Sequence, residues 1–324
     1  MNYSVFIEAT FGLTLLLLAA DYLVRGSVAI ARASKISPLI IGLTIVAIGT
    51  SAPELVTTLE ASLSGAKDMA VGNIIGSNIV NMLLILGAAA VIRPITVSHQ
   101  IITRDTLMVI AATGLFFAVG RYGIFNQIVG TLFLLILASY LTMAYRTEKA
   151  HSKQKSYTKV ISDEVQRVPE KRWLAVLYVL VGIIGIIIGA KLTISGGIGI
   201  AEVFQVSQTM IGLTLIAIGT SLPELAIVVI ASLRGHSHIA LGNILGSNLF
   251  NILGIIGTVS IVTSLKTPTE LINFDLWVLL GITLLLLPLM ITEKKISRFE
   301  GGFLIFLYIT YLTLQFTSFK NIFI

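Results

Sequence analysis

Ten apolar runs, each long enough to cross a bilayer, recur along this 324-residue chain. Their approximate limits are 4–25, 37–63, 69–92, 102–120, 124–145, 173–198, 207–232, 239–263, 272–291 and 300–318. Charged residues make up only 12% of the chain, against roughly 25% in soluble domains. A soluble protein this apolar would expose large sticky patches. The expected fold is therefore an all-α membrane protein of ten transmembrane helices. The opening Met-Asn-Tyr-Ser-Val-Phe-Ile-Glu lacks the basic stretch of a signal peptide, so the first apolar run reads as a retained span.

One long polar stretch, 146–172, separates residues 1–145 from residues 173–324. It mixes eight Lys and Arg with Glu148, Asp163, Glu164 and Glu170, and reads as a solvated linker. Loops alternate between the two sides of the membrane. One side carries seventeen Lys and Arg and the other carries five, which together account for all 22. The positive-inside rule places the linker in the cytoplasm and both termini outside, with the chain a multi-pass protein of the cell (inner) membrane. The net charge of +6 is read as this loop bias and not as a nucleic-acid footprint.

The chain repeats itself. Residues 41–63 read IGLTIVAIGTSAPELVTTLEASL, and residues 211–233 read IGLTLIAIGTSLPELAIVVIASL. Residues 70–87 read AVGNIIGSNIVNMLLILG, and residues 240–257 read ALGNILGSNLFNILGIIG. All align at an offset of 170 without a gap, with 27 identities among the 47 positions from 41 to 87. Each half holds five spans. An odd number makes the second half enter the membrane from the opposite side, so the halves are expected to be inverted repeats, 1–145 and 173–324. Such folds place substrate sites near the bilayer midplane, on interrupted helices.

The repeated segments carry the polar chemistry. In Gly49-Thr50-Ser51-Ala52-Pro53-Glu54 the proline removes a backbone donor and the glycine weakens the preceding turn. A kink is expected, with carbonyls such as those of Ala47 and Ile48 turned towards a cavity. Glu54 and Glu224 fall near the middles of their spans, where a carboxylate is costly and marks a candidate site. For either one alone, the alternative is a buried carboxyl bonded to a neighbouring helix. Ser77 and Asn81 share a helix face at i, i+4, as do Ser247 and Asn251. Cation ligation and interhelical hydrogen bonding both remain open for these four. Gly72 with Gly76, and Gly242 with Gly246, read as close helix packing.

Two carboxylates, hydroxyls, amide oxygens and loosened carbonyls are hard oxygen donors. They suit Ca²⁺, which takes six to eight oxygens, and they suit Na⁺. Copper and zinc favour imidazole and thiolate. The chain has no cysteine, and His99, His151, His236 and His238 lie near span ends or in loops.

At these residues the sequence resembles the cation/calcium exchanger superfamily, closest to its prokaryotic sodium/calcium exchanger-like branch. The hallmarks of that family are two alpha repeats with the Gly-Thr-Ser-x-Pro-Glu and Gly-Asn-x-x-Gly-Ser-Asn segments, and both occur twice here. The resemblance implies that Glu54 and Glu224 are the central cation ligands. It assigns hydroxyl or carbonyl ligands to Thr50, Ser51, Thr220, Ser221, Ser77 and Ser247, and backbone carbonyls to Ala47 and Ala217. Spans 1 and 6 would form a sliding gate. In one respect the chain departs from the family, which often has an acidic residue at one of the positions held here by Asn81 and Asn251. Two formal negative charges then match one Ca²⁺ or two monovalent ions, and three-sodium coupling is not implied.

The expected function is secondary active antiport of Ca²⁺ against Na⁺ by alternating access, without enzymatic activity. No cofactor is called for beyond the transported ions, and a monomer is compatible with the sequence. The alternatives are a calcium or divalent antiporter coupled to H⁺ or involving K⁺, and, from another class, an ion channel. Asp21 and Lys191 occupy equivalent positions in spans 1 and 6 and are expected to snorkel to the interface. Glu8, Asp105, Glu202 and Asp275 read as peripheral.

Overall fold

A computed structural model describes residues 3–152, 169, 171–204 and 219–316. Among them the helices run in order α1 (Tyr3–Ser34), α2 (Pro38–Thr50), α3 (Ala52–Leu63), α4 (Lys67–Ile92), α5 (Ile101–Tyr122) and α6 (Gln127–Ser152). Then follow α7 (Arg172–Val203), α8 (Leu222–Leu233), α9 (Ser237–Val262), α10 (Leu271–Lys294) and α11 (Arg298–Phe316). Seven of these are long and apolar enough to cross a membrane, and eight if the bent pair α2 and α3 counts as one span. The protein is a multi-pass, all-α membrane protein. The central part of the 146–172 stretch and the start of the seventh apolar run lie outside the described residues.

Local sequence explains where the helices start, stop and deform. The Ser37 hydroxyl accepts the Leu39 N–H (3.1 Å), and Pro38 opens α2 where its missing donor costs nothing. Helices α3 and α8 end before Gly65 (φ 90°) and Gly235 (φ 79°), in the left-handed region that glycine tolerates. Wide π-type turns occur at Gly42–Val46, Asn81–Ile85, Ile101–Thr106, Phe250–Ile255 and Leu271–Asp275. Such turns occur mostly as isolated bulges and often at functional sites. Asn81 and Asn251, and likewise Ile101 and Leu271, are 170 residues apart, so the same backbone distortion recurs at the sequence repeat.

The chain packs as two compact units. The first comprises Met1–Pro53 and Met143–Asn243, and the second Glu54–Thr142 and Ile244–Ile324. In the first, α1 and α7 run antiparallel in close contact and α1 also packs on α8. Small residues set the α1–α7 distance. A Cβ on Gly189 would lie 2.6 Å from the Leu16 nitrogen, and one on Gly12 would lie 2.5 Å from the Thr193 nitrogen. In lipid, where apolar burial does not separate helix from tail, this backbone proximity supplies the attraction. Asp21, midway along α1, pairs with Arg25 (2.7 Å) and with Arg234 just past α8. The aspartate thus has fixed partners, whereas snorkelling was expected of it.

In the second unit α11 packs on the end of α4, and α10 on α5. Gly87 and Gly301 meet at their backbones, with a Gly87 Cβ falling 2.8 Å from the Gly301 carbonyl. A short antiparallel ribbon pairs β1 (Ile95–Thr96) with β2 (Lys295–Ile296), in register Ile95 to Ile296. It ties the turn after α4 to the turn before α11.

Replacing Gly189 by Val should push α1 and α7 apart and lower stability by about 1–3 kcal/mol. Gly114→Ala, where nothing beyond the neighbouring backbone of its own helix lies within 4 Å of the added Cβ, should be neutral or stabilising by up to about 1 kcal/mol. Thermal unfolding of the two purified variants in detergent compares them.

Candidate functional site

The repeated Gly-Thr-Ser-x-Pro-Glu segments fold alike. Ser51 leaves helical geometry at φ −85°, ψ 9°, and Ser221 does so at φ −90°, ψ 7°. Each precedes a proline in the first turn of a new helix, and the first break bends α2 against α3 by 42°. The next residue after each proline is the glutamate. Glu54 therefore sits in the first turn of α3 and Glu224 in the first turn of α8, and both are 0% exposed. A helix N-terminus carries partial positive charge and unpaired N–H groups, which favour a carboxylate there.

In the first unit the two segments meet. The Ser51 hydroxyl donates to Glu224 Oε1 at 2.8 Å. The neighbouring Thr50 hydroxyl lies 3.2 Å from Asn243 Oδ1 and 3.3 Å from the Ala47 carbonyl. Ala47, Thr50, Ser51, Ser221 and Asn243 are buried, and Thr220 is half-buried. The two copies of the segment, set 170 residues apart by the repeat, thus become direct neighbours through Ser51 and Glu224. Ala217, the remaining carbonyl expected at the site, lies outside the described residues.

The second unit holds Glu54, Ser77, Asn81, Ser247 and Asn251, all buried. Asn81 opens one π turn, and Asn251 lies at the start of the other. Among the described residues neither amide nitrogen nor amide oxygen of Asn81 and Asn251 has a hydrogen-bond partner, nor does the Ser77 hydroxyl. Interhelical hydrogen bonding, the other reading of this face, is not made by these three side chains. Buried amides without partners are costly, and a ligand with several coordination positions removes that cost.

Two carboxylates dismissed as peripheral are structural centres. Asp105 is fully buried at the end of a π turn, accepts from Tyr140 Oη at 2.6 Å, and pairs with Arg104 at 2.6 Å. Asp275 is buried at the end of the matching turn and accepts from Tyr311 Oη at 2.9 Å. The signal was in the sequence: Asp105 and Asp275 are 170 apart, and each tyrosine begins a Tyr-Leu-Thr triplet. Asn243 was also missed, because its role depends on a neighbour 193 residues away.

The sodium/calcium exchanger protein family model matches residues 5–146 and 174–317. The chain belongs to that family. It is 38% identical to the putative antiporter CaxA of Alkalimonas amylolytica over 95% of this chain and 97% of that protein. It is 31% identical to the sodium/calcium exchanger MaX1 of Methanosarcina acetivorans over 96% and 98% of the two chains. Among solved structures it is similar to the sodium-calcium exchanger NCX_Mj, with a TM-score of 0.83 and 32% identity, over 97% of this chain and 99% of that one. The family is one of transporters, which fits the expectation of no enzymatic activity.

Tyr140→Phe and Tyr311→Phe each remove a donor to a buried carboxylate. Each should lower stability by about 1–3 kcal/mol in detergent unfolding.

Proposed function

We propose that this protein exchanges Ca²⁺ for Na⁺ across the cell (inner) membrane by alternating access. The observation that carries this reading is the 2.8 Å hydrogen bond from Ser51, in one repeated segment, to Glu224, in the other. A hydroxyl that joins a buried carboxylate from the opposite repeat belongs to a shared polar site. Glu54 and Glu224 are its central ligands. Thr50, Ser51, Thr220, Ser221, Ser77 and Ser247 supply hydroxyl or carbonyl oxygens, Asn81 and Asn251 amide oxygens, and Ala47 and Ala217 backbone carbonyls. Family membership supports the reading. So does the solved relative, which is a sodium-calcium exchanger soaked with Na⁺ and Sr²⁺.

The architecture proposed for this activity is ten spans in two inverted five-helix halves, 1–145 and 173–324, joined by a cytoplasmic 146–172 segment, with both termini outside. The repeat offset of 170 and the recurrence of the same helix breaks and π turns support it. The antiparallel, glycine-lined α1 and α7 correspond to spans 1 and 6 and are the proposed gate, with small residues that let their backbones approach closely.

Two carboxylates in a low-dielectric site resist the transition when empty. Ca²⁺, or two monovalent ions, neutralises them and permits it. This is the physical basis of exchange rather than leak. Protons are the competing choice of coupling ion, and they neutralise the same groups.

In proteoliposomes, Ca²⁺ uptake should follow an imposed Na⁺ gradient. Uptake driven equally by a pH gradient without Na⁺ would transfer the coupling to H⁺, and uptake that needs no counter-ion would make the protein a channel. Glu54→Gln and Glu224→Gln should each reduce exchange at least a hundredfold, consistent with losing about 3 kcal/mol or more when a buried charge pair is broken. Near-normal flux in either variant removes that residue from the site.

A further inference from the structure

We infer that Asn243 is a positioning residue for the cation site, acting by drawing the Thr50 hydroxyl proton away from the Ala47 carbonyl. The inference rests on the ligand assignment proposed above and adds to it a residue that does not itself touch the ion. Its basis is a count of lone pairs at three buried groups of the first unit.

The Ala47 carbonyl oxygen has two lone pairs. One accepts the Ser51 N–H at 3.0 Å. The other is available to a cation only while no second donor occupies it. The nearest such donor is Thr50, whose hydroxyl oxygen lies 3.3 Å from that carbonyl. A threonine hydroxyl carries one proton and two acceptor lone pairs. Thr50 also lies 3.2 Å from Asn243 Oδ1, at the shorter distance of the two. When its proton points to Asn243, the Ala47 carbonyl keeps a lone pair and the Thr50 oxygen keeps both of its own. When the proton points to Ala47, a carbonyl ligand is lost to the ion. Asn243 therefore decides how many oxygens this turn of α2 presents.

The fold makes this contact possible by backbone proximity. A Cβ on Gly42 would lie 2.7 Å from the Ile239 carbonyl, and one on Gly242 would collide with the Leu39 carbonyl. The start of α9 therefore presses directly on α2, and Asn243 follows Gly242 into the contact. Asn243 is fully buried, as is Thr50 at 1% exposure. The repeat supplies an internal control. Asn73, the residue equivalent to Asn243, donates through its Nδ2 to Thr58 Oγ1 at 3.0 Å, a hydroxyl outside the candidate ligand set. The equivalent of Thr58 is Val228, so the second half has no hydroxyl there and the two asparagines are used differently.

The test is a double-mutant cycle on Na⁺-driven Ca²⁺ uptake in proteoliposomes, reading KM and maximal rate separately. Asn243→Leu should raise the KM for Ca²⁺ roughly three- to tenfold, the loss expected from one hydrogen-bond-sized interaction, with little change in maximal rate. In a Thr50→Val background, which has no hydroxyl proton to misdirect, Asn243→Leu should add no further increase. Asn73→Leu should leave the KM unchanged. Asn243→Asp, which only accepts, should hold the KM at or below its normal value, and it carries the test if Asn243→Leu does not fold. Equal KM increases from Asn243→Leu with and without the Thr50 hydroxyl would overturn the inference, as would a raised KM in Asn243→Asp. Failure of the underlying site assignment looks different: Glu224→Gln would then retain exchange, whatever the outcome at Asn243.

Discussion

A carboxylate with no exposed surface, set among apolar helices, has to be held by donors and dipoles that its own fold provides. Glu224 meets this requirement in two ways. It sits in the first turn of α8, where unpaired N–H groups and the helix dipole favour negative charge. It also accepts the Ser51 hydroxyl at 2.8 Å. Both depend on the helix breaks at Ser51 and Ser221. An uninterrupted helix through this depth would have no N-terminus beside the glutamate. The Gly-Thr-Ser-x-Pro-Glu pattern is thus a way of making a helix start inside a membrane, with a serine at the break, a proline that needs no donor and a carboxylate that benefits from the end.

Bringing Ser51 against Glu224 and Thr50 against Asn243 requires helices closer than ordinary side chains permit. Glycines provide that approach at Gly42 and Gly242, and along the whole α1–α7 contact. The interruptions and the glycines act together. One exposes polar groups at depth, and the other brings a partner close enough to satisfy them. The π turns at Asn81–Ile85 and Phe250–Ile255 place a widened stretch of backbone at each asparagine without ending its helix.

Membership of the sodium/calcium exchanger family gives this arrangement a context, and the chain's own residues give it a particular character. Asparagine at both 81 and 251 leaves the polar set with two glutamates as its acidic members. Amide oxygens coordinate a cation without contributing charge. The balance between the ion and its site therefore rests on Glu54 and Glu224 alone, within the reading proposed here.

Much of this was legible in the residues. Hydrophobic run length dictated an all-helical membrane protein, because backbone in hydrocarbon must satisfy its own hydrogen bonds. The offset of 170 identified Pro53 with Pro223 and Glu54 with Glu224, and the Gly and Pro around them placed the helix breaks correctly. Other features were not legible. Asp105 and Asp275 read as peripheral because tyrosines that bond them are 35 and 36 residues further along the chain. Asp21 read as a snorkelling residue because one of its two partners, Arg234, lies just past a helix more than two hundred residues further along the chain. Repetition in the sequence implies symmetry, yet Asn243 bonds Thr50 while its equivalent Asn73 bonds Thr58. Periodicity and propensity are properties of neighbouring residues, so the chain alone specifies which groups are polar and where its helices start. Which donor meets which acceptor depends on helix packing across nearly two hundred residues, and only the folded molecule settles it.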